Sequence, residues 1–155
     1  MKLAVFSDSH GRPAGMLRAI SACSPDMIIH LGDGGSDIGK IKKQFPQIPL
    51  KAVRGNCDYS SNLPETELLS VNGVKLFLTH GHLFGVKHDI RPLAAAAHNA
   101  EADIVMYGHT HKADKHMDAD MLVLNPGSCG AALSLTFAVL VIGDGGDILW
   151  DIREV

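Results

Sequence analysis

The chain has 155 residues, 46% of them hydrophobic and 20% charged, which is the size and composition of one globular domain and excludes a disordered or fibrous chain. Fourteen basic against 17 acidic residues give a net charge of −3 with no long block of either sign, so neither a nucleic-acid coat nor an electrostatic membrane anchor is expected. Cys23, Cys57 and Cys129 are widely spaced without a CxxC pair. With no signal-peptide core before Asp8 and no apolar run near the roughly 20 residues that span a bilayer, they predict a soluble, cytoplasmic protein.

Lys2 to Phe6 is a short apolar run that reads as a buried strand and ends in the polar loop Ser7-Asp8-Ser9-His10-Gly11. Pro13 followed by Met16, Leu17 and Ile20 predicts a helix. The same pattern returns at Asp26 to Leu31, which runs into Gly32-Asp33-Gly34-Gly35. It returns again at Leu50 to Val53, which runs into Arg54-Gly55-Asn56-Cys57-Asp58, with a helical segment near Ile38 to Phe45 between them. Three strand-loop-helix units in series indicate a parallel α/β sheet with polar loops at its carboxyl edge.

Glu65 to Val71 and Val74 to Thr79 flank Asn72-Gly73, the signature of a type I′ hairpin, and the second strand ends at His80-Gly81-His82. Leu93 to Ala102 reads as a helix, and Asp103 to Tyr107 as a strand ending at Gly108-His109-Thr110-His111. Met121 to Leu124, Leu135 to Ile142 and Ile148 to Arg153 complete the strands, with Asp144-Gly145-Gly146-Asp147 turning the last pair. An early βαβ half and a late half read as mostly antiparallel predict an α/β fold of two packed mixed β-sheets flanked by helices, in a single domain over residues 1–155.

Five loops, each after an apolar run, thus present Asp8 with His10, Asp33, Asn56, His80 with His82, and His109 with His111. One Asp-x-His pair is a weak signal, whereas the set together is a strong one. Strand alternation would let residues i and i+2 face one cluster, and the adjacent glycines Gly11, Gly32, Gly55, Gly81 and Gly108 would permit tight turns and close approach. The donor set of imidazoles, carboxylates and an amide suits Mn, Fe, Zn, Co or Ni, with manganese the first expectation. Seven ligands exceed the need of one ion, so two divalent ions sharing Asp33 are expected.

These residues resemble the calcineurin-like metallophosphoesterase superfamily, in which Asp8-Ser9-His10, Gly32-Asp33, Gly55-Asn56, His80 and Gly108-His109-Thr110-His111 occur in this order. Gly55-Asn56-Cys57-Asp58 and Asn125-Pro126-Gly127-Ser128 resemble its small, single-domain prokaryotic phosphodiesterase branch. The resemblance covers nearly the whole chain and implies a β-sandwich flanked by helices in four αββα layers. It implies that Asp8, His10 and His111 bind one ion and Asn56, His80 and His109 the other, with Asp33 bridging and a metal-activated hydroxide attacking phosphorus. Asp33 and Asn56 thereby belong to the catalytic set, and His82 is a secondary candidate to touch substrate or a supporting water.

The chain departs from the wider superfamily at Cys57, where many members carry His. Without that proton donor, diesters and other substrates with acidic leaving groups are expected to be favoured. Low aromatic content and no basic tract argue for a small phosphoester rather than a long nucleic acid, and no membrane partner is expected. Two alternatives stay open: a binding scaffold of the same fold, and a monoesterase or nucleotidase. Oligomeric state is not legible in the residues. Arg54, Asp58, His30 and Ser128 have structural readings at least as good as functional ones, and His88, His98 and His116 lack a loop context.

Overall fold

The computed structural model describes residues 1–155. Ten strands form two five-stranded sheets. The first has the order β10-β9-β1-β2-β3, built from Ile148–Glu154, Thr136–Ile142, Lys2–Phe6, Met27–His30 and Leu50–Ala52. The second has the order β4-β5-β6-β8-β7, built from Thr66–Val71, Val74–Thr79, Ile104–Met106, Met121–Pro126 and Ala113–Asp118. Helices α1 (Ala14–Cys23), α2 (Gly35–Gln44) and α3 (Arg91–Asn99) flank them. No helix is long and apolar enough to cross a membrane.

The strands read as unbroken apolar runs because both of their faces are covered. Leu3, Val5 and Ile29 from the first sheet meet Leu76, Leu78, Ile104 and Leu122 from the second in the inter-sheet core. The alternate residues Ala4, Phe6 and Ile28 pack against Met16 and Ile20 of α1 and Ile38 and Ile41 of α2. On the other side, Phe77, Val105 and Val123 pack against Leu93, Ala94 and Ala97 of α3. The result is the expected four-layer αββα sandwich.

Asn72 and Gly73 both take positive φ, 49° and 83°, as a type I′ turn requires. In the late half the strand directions differ from the expectation: β5, β6 and β8 run parallel to one another, and only β4 and β7 at the edges run antiparallel. Each sheet therefore holds three parallel strands, β1 to β3 in one and β5, β6 and β8 in the other. Strand β7 has no counterpart among the expected elements. Its sequence Ala-Asp-Lys-His-Met-Asp is polar because it is an exposed edge, so it lacks the apolar signature that reveals the buried strands. His82–Phe84 forms a short 3₁₀ turn immediately after β5.

Candidate metal centre

The loops leaving β1, β2, β3, β5 and β6 converge on one edge of the sandwich. Backbone hydrogen bonds tie them together before any side chain is considered. The Asp8 N–H donates to Gly32 O at 3.0 Å, the His10 N–H to Asp33 O at 2.9 Å, and the Gly108 N–H to His80 O at 3.1 Å. Asp8, Asp33 and His80 lie fully buried at the base of the resulting cluster, while His10, His109 and His111 are partly open and Asn56 is exposed at its mouth.

All seven residues expected to ligate come together, in two overlapping groups. In the first, His111 Nε2 lies 3.1 Å from Asp8 Oδ1 and 3.3 Å from His10 Nε2, and His10 Nε2 lies 3.8 Å from Asp33 Oδ2. In the second, His80 Nε2 lies 3.2 Å from Asn56 Oδ1, 3.2 Å from His109 Nδ1 and 3.5 Å from Asp33 Oδ2. Asp33 Oδ2 is thus the atom common to both.

The route by which paired ligands converge differs from the expectation. Asp8, His10, Asp33, His109 and His111 all take positive φ, between 46° and 67°, so the i and i+2 residues face one cluster through left-handed turns rather than extended strand alternation. Each such residue costs about 1–2 kcal/mol, and Asp and His are among the types that tolerate the conformation best. Gly32 has φ +96° with Gly55 backbone 2.7 Å from where a Cβ would stand, so loops β2 and β3 meet only because both positions lack side chains.

The hydrogen-bond roles test whether a cation fits. His80 Nδ1 lies 2.7 Å from Leu31 O, and a carbonyl only accepts, so Nδ1 carries the proton. In its neutral form, the one a cation binds, His80 then aims its Nε2 lone pair at two acceptor oxygens, those of Asn56 and Asp33. His111 repeats the pattern, donating from Nδ1 to Ala131 O at 3.1 Å and turning Nε2 towards Asp8 Oδ1. That Asp8 oxygen is buried with no hydrogen-bond donor. Converging lone pairs and an orphaned carboxylate oxygen are what a cation would satisfy, and a ring nitrogen anchored on a backbone carbonyl is the usual support of a metal-binding imidazole.

Electrostatics follow the same logic. Burial opposes ionisation of Asp33, but the His80 imidazole and the Cys57 N–H, which donates at 2.7 Å, hold its carboxyl well below the usual range. Burial works against a charge on His80, yet Asp33 and Asp8 raise its pKa. Burial and neighbouring His80 push His109 down to about 4. His82 is lowered by burial and by His80.

Asp58, His30 and Ser128, whose roles the sequence leaves open, act as supports, joined by Asn125 and Glu65. The Asp58 carboxylate accepts the N–H groups of Asp33, Gly55 and Gly35 at 2.8, 2.8 and 2.7 Å, lashing two ligand loops together. The Ser128 hydroxyl donates to Asp8 O at 2.8 Å, and Asn125 Nδ2 donates to Gly108 O at 3.0 Å. His30 is buried; its Nδ1 accepts the Gly32 N–H at 3.3 Å, and its Nε2 lies 3.2 Å from Ser9 Oγ, which donates to Asp37. Glu65 pairs with Arg54 and lies 3.7 Å from His82 Nε2, so Arg54 is already engaged. His82 itself stands beside the cluster, its ring 5.4 Å from His80 and 6.1 Å from His109. Cys57 Sγ comes within 4.8 Å of ligand atoms on His10 and Asp33. His98 and His116 pair with the carboxylates of Asp118 and Asp114 and do not join the cluster.

A two-sheet sandwich with this oxygen and nitrogen cluster at its strand ends has the architecture of a metal-dependent phosphoesterase. Residues 1–145 match the calcineurin-like phosphoesterase superfamily domain, and the chain belongs to that superfamily. It is 32% identical over 132 residues to the probable metallophosphoesterase YsnB of Bacillus subtilis, covering 83% of this chain and 75% of that one. A probable metallophosphoesterase of Methanocaldococcus jannaschii is 33% identical over 133 residues, 83% of this chain and 68% of the relative. Among solved structures, an archaeal phosphodiesterase shares the fold with a TM-score of 0.74 at 24% identity, over 99% of this chain and 100% of its own. Vps29 of Entamoeba histolytica in complex with zinc shares it with a TM-score of 0.79 at 23% identity, over 99% of each chain.

Proposed function

We propose that this metallophosphoesterase is a phosphodiesterase for small phosphodiesters, working with two divalent ions in the cytoplasm. Asp8, His10 and His111 would hold one ion and Asn56, His80 and His109 the other, with Asp33 shared. Manganese is the proposed metal, in keeping with the mixed oxygen and nitrogen donors. The observation that carries the reading is the position of Asp33 Oδ2, 3.8 Å from a nitrogen of one ligand group and 3.5 Å from a nitrogen of the other. The archaeal neighbour named a phosphodiesterase and the zinc-bound Vps29 lend support to diester chemistry and to metal binding respectively.

Such ions supply Lewis-acid polarisation of the phosphoryl group and water activation at neutral pH. The protein's own contribution is orientation. Leu31 O and Ala131 O fix the ring planes of His80 and His111, and the Cys57 N–H holds the outer oxygen of Asp33 so that Oδ2 stays turned inward. His82 borders the substrate side of the His80 and His109 pair. At position 57, burial and the Asp33 carboxylate push the thiol up to about 11, so it stays protonated at neutral pH and offers no imidazole-like donor. A leaving group that departs without strong protonation is therefore favoured.

The test is turnover by manganese-loaded protein on bis(p-nitrophenyl) phosphate beside a simple alkyl monoester. Rapid hydrolysis of the diester with little of the monoester is expected, and Asp33→Ala should abolish it. Faster alkyl monoester turnover would overturn the diester preference. Absence of any hydrolysis, with metal content unchanged by Asp33→Ala, would favour a binding scaffold of the same fold.

A further inference from the structure

Next to the metal cluster lies a second hollow that the ligand set does not use. Gly35, Ser36, Cys57, Asp58, Tyr59 and the serines at 60 and 61 line a cavity of about 460 Å³, within the roughly 300–1,000 Å³ range of ligand clefts. Cys57 belongs to both places: its thiol reaches the His10 and Asp33 ligand atoms, and its side chain forms part of the cavity wall. The cavity therefore adjoins the metal cluster at Cys57.

Its lining has a distinct chemistry. It contains no Lys, Arg or His, and its one carboxylate, Asp58, is already committed to three backbone N–H groups. A second phosphate would find no positive charge there. What the wall does present is hydroxyl groups and one aromatic ring. The Ser61 hydroxyl accepts the Leu63 N–H at 3.2 Å, whereas Ser36 and Ser60 have no protein partner. Tyr59 is 87% exposed, so its ring is open to a ligand and carries both an apolar face and a polar tip. Cys57, the residue at the junction of cluster and cavity, is also smaller than an imidazole and takes up less of that junction than a His would.

We infer that this cavity is the subsite for a neutral ester arm of the substrate, and that the arm is a nucleoside, its base stacked on Tyr59 and its sugar hydroxyls met by Ser36 and Ser60. The assignment rests on the phosphodiesterase reading above and adds the substrate class to it. Stacking suits a nucleobase because every base has a π-face, and the loss of one such platform costs about tenfold or more in affinity.

The experiment compares the p-nitrophenyl ester of thymidine monophosphate with methyl p-nitrophenyl phosphate on manganese-loaded protein. Both release the same leaving group, so they differ only in the retained arm. The nucleoside ester should show a kcat/KM about tenfold higher, carried by KM. Tyr59→Ala should raise that KM by about tenfold, while Tyr59→Phe should preserve it. Equal kcat/KM for the two esters, or a preference that survives Tyr59→Ala, would overturn the subsite. If neither ester is hydrolysed, the phosphodiesterase reading fails, and the subsite is judged by calorimetry alone. Thymidine monophosphate should then bind about tenfold more tightly than inorganic phosphate to the wild type but not to Tyr59→Ala, and equal binding to the wild type would overturn it.

Discussion

The two sheets contribute unlike chemistry to one centre. The loops of the first sheet supply Asp8, Asp33 and Asn56, all oxygen donors, with His10 as their only imidazole. Those of the second supply only imidazoles, His80, His109 and His111. Neither sheet alone can offer the mixed set. Each proposed ion position draws from both: His111 crosses to Asp8 at 3.1 Å, and His80 crosses to Asn56 at 3.2 Å. The apolar core holds the sheets face to face along their length, whereas at this edge buried charge and converging lone pairs oppose closure. A bound cation would turn that opposing edge into a staple between the sheets.

The largest expected effect comes from removing the atom that both groups share. Asp33→Ala should lower metal content and phosphodiesterase activity by more than the roughly 10–100-fold typical of a supporting residue. Elemental analysis and steady-state kinetics check this, and full metal retention would break the picture of a shared carboxylate. Next are the supports. Asp58→Ala frees three backbone N–H groups and loosens the loops after β2 and β3, so metal affinity should fall by about 10–100-fold, measured by competition with a chelating dye.

Metal itself should stabilise the fold. At a free-ion concentration of 100 Kd the gain is about 2.7 kcal/mol, a rise in Tm of about 5–10 °C by calorimetry. The gain should depend on pH in a defined direction. His80 has a raised pKa in the metal-free chain, and a proton there competes with a cation, so metal affinity falls as pH drops through its titration. His109, pushed down to about 4, stays deprotonated over most of that range. For the metal-free chain the sign is reversed: the stability contributed by His80 is fully present below about pH 6.5 and fades as pH rises through its folded pKa. The Tm difference between loaded and metal-free protein should therefore widen from about pH 5 to about pH 8, and a constant difference would count against His80 as a ligand.

The smallest effect belongs to the opposite edge, where tight turns replace ligand loops. Gly73→Ala, at φ +83°, should cost about 1 kcal/mol of stability by denaturant titration and leave turnover unchanged.

Much of this was legible in the residues. Strands such as Met27–His30 and Ile104–Met106 announce themselves because both faces are buried, and the Asn72-Gly73 hairpin because its turn type demands those residues. The convergence of the seven candidate ligands was legible because each stands in a loop that follows such a strand, five of them next to a glycine. Strand β7 was not, since an exposed edge needs no apolar pattern. Nor were the left-handed turns at Asp8, His10, Asp33, His109 and His111, because backbone conformation at a loop is set by partners far along the chain. Ser128 meets Asp8 across 120 residues, and Asp58 meets Asp33 across 25. Local sequence carries no trace of such pairings. Glu65 is the clearest case: it follows Pro64 without any motif, yet links Arg54 and His82 beside the cluster.

The most direct measurement is anomalous diffraction from crystals grown with manganese. Two peaks are predicted, one bounded by Asp8, His10 and His111 and the other by Asn56, His80 and His109, with Asp33 between them. A single peak, or none, would contradict a two-ion centre to which each sheet contributes ligands.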